Sequence, residues 1–395
     1  MANPNSDGFI DVDSCQTSKE GQLVCGDVFL CQKVKEEDRV VAVLSDGLGS
    51  GIKASVLANL TATMALRYTS SFMDIKRSAE TIMNTLPICS VRKISYSTFT
   101  IVDLHGSGQT RIIEYDNPPF LLLRDGHEEP VKRTEITLER SPDRKLRYSR
   151  FQTHRGDRIV FFSDGVSQAG MGEYRTPLGW GRDNVATFLG AEVVSEPGMS
   201  ARDLARRLVA KAIDQDHGVA KDDISAGVLY YRQPRRLLVI TGPPFSNARD
   251  RDLAELARDF PGRKVISGGT TANIVSRLLH RTIHMDLSHY DREIPPAAAM
   301  EGFDLITEGT LTLGRVAQIL ESGTDPEGLP PNAATRLAAL LLGSDIVQFA
   351  VGTRINQAHQ DPNIPMELEL RRNVVRRIAQ ELERRHRKEV LVEFR

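Results

Sequence analysis

The chain has 395 residues, 26% of them charged and 40% hydrophobic, with a formal net charge of −1. That length accommodates two or three domains, each able to bury its own core. The balanced charge argues against any attachment to nucleic acid or to an anionic membrane that depends on net charge. The four cysteines, Cys15, Cys25, Cys31 and Cys89, contain no CxxC pair, so neither a disulfide framework nor a zinc knuckle is supported. The opening MANPNSDGFI has neither the charged nor the apolar region of a secretory leader, and no apolar run approaches the ~18 residues of a membrane span. A cytoplasmic protein with no membrane and no nucleic-acid partner is expected.

In chain order, β-rich apolar segments occur at 39–45, 96–104, 111–115, 120–123, 158–163 and 225–231. Short turn-rich connectors join several of them: HGSGQT, DNPP and RDGH. Adjacent strands with short turns pair antiparallel. Helical patterns fill 52–68, 74–86 and 200–214. The pattern is α+β rather than doubly wound. Near RQPRR (232–236) the style changes. Strand-like runs at 237–241, 264–267, 303–309, 345–352 and 390–394 alternate with helical patterns at 246–258, 271–280, 312–321, 334–342 and 366–387. Such alternation predicts a mainly parallel sheet covered by helices. The expected division is 1–234 and 235–395.

In the first part, acids sit at strand ends or beside glycine: Asp27 in CGDVF, Asp46 in SDGLGSG, Asp164 in SDGVS, and Asp222 with Asp223 in KDDIS. One Asp-Gly is an ordinary turn signal. Four carboxylates brought together would repel, and their pKa values would climb. Hard divalent cations, which prefer oxygen ligands, remove that cost. Gly47, lacking a side chain, lets its carbonyl approach such an ion.

The motifs CGD, DGLGSG, YDNPP, SDGV and DDIS, in this order, resemble the PPM (PP2C-like) metal-dependent protein serine/threonine phosphatases, and more closely their bacterial SpoIIE-type branch, over roughly residues 15–232. The resemblance implies a fold of two antiparallel β-sheets flanked by helices, an α-β-β-α sandwich. It implies two Mn2+ or Mg2+ ions bridged by Asp46. Asp27 and the Gly47 carbonyl would complete one site, and Asp164 and Asp222 the other, with the choice between Asp222 and Asp223 left open. It also implies hydrolysis of phosphoserine or phosphothreonine in a protein partner, for instance a STAS-domain anti-sigma-factor antagonist. The sequence departs from the pattern at Cys25, where Gly is usual. It departs again in the Ile-Ser after the paired acids, and in YDNPPF, which stands where an Ala-Gly-His turn is commoner. No counterpart of the eukaryotic phosphate-binding Arg is evident. Two metals sharing one water make a nucleophile without Cys or Ser, so Cys25 reads as a small buried residue.

The helix after Gly51 carries Ile52, Val56, Leu60 and Met64 on one stripe and Ala54, Ala58 and Ala62 on nearly the opposite one. It is expected to be buried on both sides. Starting at Asp46 and Gly47, it also reads as a regulatory helix, a role the resemblance supports. Residues 170–181 read as a flap or an exposed loop, with Trp180 packed.

In the second part, SGGTTAN (267–273) and TEGTLTL (307–313) have the strand–Gly–Thr–helix form of an anion site, so a small anionic ligand is expected at Gly268–Thr271, against the plain alternative of a Thr cap on a tight turn. No P-loop is present. The helix over 371–388 is basic but amphipathic, and is expected to be solvated. The function expected is a metal-dependent protein phosphatase with a C-terminal regulatory or ligand-sensing domain. The rivals are a docking module of the same fold and a nucleotide- or anion-binding sensor housed in the second half. A homodimer stays open.

Overall fold

The computed structural model describes residues 8–34, 37–49, 51–71, 75–85, 97–138, 141–174, 176–286, 288, 291–354, 364–386 and 388–395. The chain divides into two compact units, Met1–Gln233 and Pro234–Arg395.

The first unit begins with β1 (Phe9–Thr17), β2 (Asp27–Val34), β3 (Arg39–Gly47), α1 (Ile52–Ser70) and α2 (Ile75–Thr85). There follow β4 (Ser97–His105), β5 (Gln109–Tyr115), β6 (Leu121–Arg124), β7 (His127–Glu128), β8 (Thr134–Leu138) and β9 (Ser141–Gln152). It ends with β10 (Arg158–Phe162), α3 (Asp164–Ser167), α4 (Arg182–Ser195), α5 (Ala201–Gln215) and β11 (Ile224–Arg232). The strands form two antiparallel sheets, β1-β11-β10-β6-β7 and β2-β3-β4-β5-β9-β8.

The layering follows from the two-residue period of the strands. On β3, Val40, Ala42 and Leu44 face the other sheet and join Phe120, Leu122, Ile159, Phe161 and Leu229. The intervening Val41 and Val43 face α1 and α2, against Ala62, Ala65, Ile82 and Met83. A strand buried on both faces must be apolar at every position, which is why 39–45 reads as an unbroken run. The outer face of the first sheet is covered by α4 and α5 through Val185, Leu189, Leu204 and Leu208. Each fully buried side chain of this kind contributes ~1.5–3 kcal/mol. The result is the expected helix–sheet–sheet–helix stack of two antiparallel sheets.

Several elements escaped the sequence reading. β1 and β2 alternate mixed polar residues, since one side of each is only partly covered. β9 is largely polar. α4 buries only the narrow stripe Val185, Leu189 and Val193. The expected helix ends at residues 74, 86 and 387, and the strand start at 96, lie outside the described residues.

One expectation is reversed. On α1 the alanine stripe Ala54, Ala58, Ala62 and Ala65 is buried, while Ile52 is 73% exposed and Val56 61% exposed. Leu60 is also exposed, and only Met64 reaches the core. Small side chains let the helix axis approach β3 closely, so the large residues are carried to the outside. With Val24 they line a groove of about 460 Å³.

The second unit begins with β12 (Arg236–Thr241), α6 (Asp250–Asp259), β13 (Arg263–Ser267), α7 (Gly269–Leu279), β14 (Ile283–Asp286) and β15 (Ala297–Met300). It continues through β16 (Phe303–Thr307), α8 (Thr310–Ser322), α9 (Ala333–Leu342), β17 (Ile346–Val351), α10 (Ile364–Arg384) and β18 (Glu389–Phe394). The sheet order is β14-β15-β16-β13-β12-β17-β18. Strands β16, β13, β12, β17 and β18 are parallel, and β14 and β15 add an antiparallel edge. The parallel strands follow the doubly wound order, with the chain reversing direction at β12. Helices α6 and α7 cover one face and α8, α9 and α10 the other.

Candidate metal centre

The strand ends bring the acids together. Asp27 opens β2 and Asp46 is the penultimate residue of β3, and the antiparallel register sets the two directly opposite each other. Asp164 follows β10, and Asp222 and Asp223 precede β11, the strand β10 pairs with. Gln16 ties the sheets at this point: its Nε2 donates to the Asp27 carbonyl at 3.2 Å and to Ser225 Oγ at 3.1 Å. Ser163 Oγ accepts the Ser225 N–H at 3.0 Å.

Two glycines are dictated by close approach. A Cβ on Gly47 would lie 2.2 Å from the Ala54 carbonyl oxygen, and one on Gly165 2.1 Å from that of Asp223. Both Asp-Gly pairs are thus sites where two backbones touch, which a larger residue would push apart.

The electrostatics are those of crowded like charges. Burial, and then the charges of Asp27, Asp164, Asp222 and Asp223, push the Asp46 carboxyl up to about 9. Burial pushes Asp27 up to about 7, against the pull of the nearby Ser225 and Ser163 hydroxyls. Those hydroxyls make no hydrogen bond of normal geometry with it: both Asp27 oxygens are buried without a partner. Asp164 is raised as well, by burial and by Asp222, and its carboxyl lies within hydrogen-bonding reach of Asp46. Gln168 Nε2 fixes Asp164 Oδ2 at 2.8 Å.

Asp222 and Asp223 differ. Asp222 is half exposed, with Lys19 Nζ at 3.9 Å. Asp223 is only 5% exposed; one of its oxygens accepts the Lys19 backbone N–H at 3.0 Å, and the other is buried without a partner.

Among the described residues no three His, Cys, Asp or Glu side chains form a ready-made coordination shell. The donors nevertheless fit a pair of hard divalent cations. All are oxygens, both of those of Asp27 and one of Asp223 are buried without partners, and the charge they concentrate is of the sign a cation neutralises.

Residues outside the expected set also shape the site. Asn117 of the YDNPP turn accepts from Thr98 Oγ1 at 2.5 Å and donates to Thr100 Oγ1 at 3.1 Å, and Thr98 pairs with Asp46 in the β3–β4 register. Ser163, Ser225, Gln16 and Lys19 were missed as well. Only Ser163 and Ser225 carried a sequence signal, standing inside the SDG and DDIS motifs. Cys25 is partly buried, and burial, then Asp27, pushes its thiol up to about 12, which disfavours the thiolate.

The comparisons with known proteins give the family. Residues 36–232 match the family model of Stage II sporulation protein E (SpoIIE). The Stage II sporulation protein E of Bacillus subtilis (strain 168) is 23% identical over 159 residues, which is 40% of this chain and 19% of that relative. The chain therefore spans about a fifth of the relative's length.

Among solved structures, the PP2C phosphatase domain with a regulatory fragment of SpoIIE from Bacillus subtilis matches with a TM-score of 0.47 and 19% identity, over 57% of this chain and 62% of that one. The RsbU and RsbW domains of a Mycobacterium tuberculosis protein match with a TM-score of 0.46 and 17% identity, over 63% and 67%. RsbX in complex with magnesium gives 0.40 and 17%, over 56% and 94%. Residues 36–232 thus form a SpoIIE-type domain, and the solved structures it is similar to include PP2C phosphatase domains.

Proposed function

We propose that the N-terminal unit hydrolyses phosphoserine or phosphothreonine in a protein partner, using two divalent cations, Mn2+ or Mg2+. Asp46 would contact both, Asp27 and the Gly47 carbonyl would hold one, and Asp164 with Asp222 or Asp223 would hold the other. The observation that carries this reading is the meeting of Asp27, Asp46 and Asp164 at the ends of paired strands from both sheets. When bound, the ions supply a water of lowered pKa and neutralise charge on the phosphoryl oxygens. The chain's own residues hold this arrangement. Gln168 orients Asp164, Gln16 and Ser225 fix the backbone at Asp27, and the Gly47–Ala54 contact seats α1 against the metal-binding turn. The half-exposed Asp222 lies open to solvent.

The C-terminal unit serves as a regulatory or ligand-sensing domain, supported by its doubly wound strand order. A STAS-domain anti-sigma-factor antagonist is the phosphoprotein to try first, on the strength of family membership. Phosphate release from p-nitrophenyl phosphate by the full chain, with and without Mn2+, tests the activity. Release that requires the metal and vanishes in Asp46→Asn is expected. A folded protein with no metal-dependent release would favour a docking module of the same fold.

A further inference from the structure

Parallel strands β13 and β16 are neighbours, and each feeds a helix through a glycine. Gly268 caps α7 and Gly309 caps α8, and the two caps adjoin: a Cβ on Gly309 would lie 3.8 Å from Gly268 Cα. The helices then diverge to opposite faces of the sheet, so two helix N-termini converge on one spot. Neither cap has a side chain that could accept a hydrogen bond, and neither helix has an acid in its first turn. The first-turn N–H groups of both helices thus lack intrahelical acceptors, and neither first turn carries an acid to offset its positive dipole end, the nearest in sequence being the exposed Glu308 before the Gly309 cap.

A second observation is independent of the helix ends. The two starts share a pattern, Gly268-x-x-Thr271 and Gly309-x-x-Thr312. Thr271 is 1% exposed and Thr312 0%, and the hydroxyl of each has no hydrogen-bond partner. Thr271 Oγ1 lies 3.6 Å from where a Cβ on Gly268 would stand, so it is aimed at the cap. Thr241, at the carboxyl end of the adjacent strand β12, is equally buried and equally unpartnered. A buried hydroxyl left without a partner is destabilising. The neighbouring Ser267 and Thr307 hydroxyls, in contrast, are satisfied: Thr307 Oγ1 donates to Ser267 Oγ at 3.1 Å, and Ser267 Oγ to the Glu308 carbonyl at 3.0 Å.

We propose that the paired starts of α7 and α8 bind the terminal phosphate of a small phosphorylated molecule, which accepts hydrogen bonds from the first-turn N–H groups and from the Thr271 and Thr312 hydroxyls. A tetrahedral dianion offers enough acceptors for donors arriving from two directions, and its charge matches two helix dipoles.

The test is calorimetric titration of the full chain with inorganic phosphate, in EDTA so that the carboxylate cluster of the N-terminal unit carries no metal. Wild type and Asp46→Asn are expected to bind alike. Thr271→Val and Thr312→Val are each expected to bind at least tenfold more weakly. Valine copies the shape of threonine and removes a hydroxyl that has no partner in the ligand-free protein, so both variants should unfold at the wild-type temperature or above it when phosphate is absent. That second measurement separates loss of a ligand contact from loss of fold. The proposal is overturned if phosphate does not bind, if both valine variants bind it as wild type does, or if Asp46→Asn abolishes the heat.

Discussion

Asp27 and Asp46 stand directly opposite each other across the β2–β3 pairing, two acids where a sheet ordinarily places residues that attract. Neither has a basic partner there among the described residues. Asp27 keeps both oxygens buried and unbonded, and Asp46 is pressed by the charges of Asp27, Asp164, Asp222 and Asp223. The unit accepts this strain at the strand ends while its core packing is satisfied on either side.

Divalent cation should relieve that strain in a way thermal unfolding can read. Adding Mn2+ to the EDTA-treated chain is expected to raise the unfolding temperature of the N-terminal unit, since a ligand present at 100 times its Kd stabilises by about 2.7 kcal/mol. Asp46→Asn should lose most of this rise, and without metal it should unfold no earlier than wild type, because it removes one of the repelling carboxyls. A full manganese response in that variant would contradict the bridging role of Asp46.

The two stripes of α1 should respond oppositely to substitution. Ala58 is fully buried in the helix–sheet contact, so Ala58→Leu is expected to cost ~1–3 kcal/mol by overpacking. Val56 points outward, and Val56→Ala should stay within about 0.5 kcal/mol of wild type. Urea denaturation of the two variants checks the pair; equal losses would mean that both faces are packed.

The same helix shows where sequence reading succeeds and where it stops. The acid positions were legible because Asp46 and Asp164 each follow an apolar strand and precede a glycine that the fold requires for backbone contact. β3 was legible because burial on both faces leaves an unbroken apolar run. On α1 periodicity identified two stripes but not which one packs. Hydrophobicity favours Ile52 and Val56, yet the close approach to β3 selects alanine, a property of the interface rather than of the helix. α4 was missed because its long approach from Gly170 to Gly181 carries the turn signals, and its buried stripe is only three residues wide. Within the site, Gln16 and Lys19 had no local signature at all. Their contacts reach about 200 residues along the chain, to Ser225 and Asp223.

Cys25 should be a quiet thiol despite its place beside the acids. Its Sγ lies 3.7 Å from the Thr17 carbonyl, and burial with Asp27 nearby holds its pKa at about 12. At pH 8.5 alkylation by iodoacetamide, followed at this residue by mass spectrometry, is expected to be at least ~100-fold slower in the native chain than in urea. Cys25→Ser should retain metal-dependent turnover. Rapid native labelling, or loss of turnover in the serine variant, would reopen a nucleophilic role.

In the C-terminal unit, Asp286 at the end of β14 gives a stability signal confined to acid. It accepts hydrogen bonds from the Ser288 hydroxyl and the Ser288 N–H, and it pairs with Arg336 of α9 at 2.7 Å. The Ser288 hydroxyl first, and then Arg336, hold its pKa down at about 2. A carboxyl whose pKa is lower in the folded chain than in the unfolded one stabilises the fold once it is ionised in both states. The contribution is therefore complete above about pH 4, the ordinary range of an unfolded Asp, and is lost as pH falls through about 2. Asp286→Asn is expected to be less stable than wild type at pH 7, with the two denaturation curves converging as pH approaches 2. A gap that persists unchanged down to pH 2 would show that the ionised carboxylate contributes nothing, and that the loss comes from local packing alone.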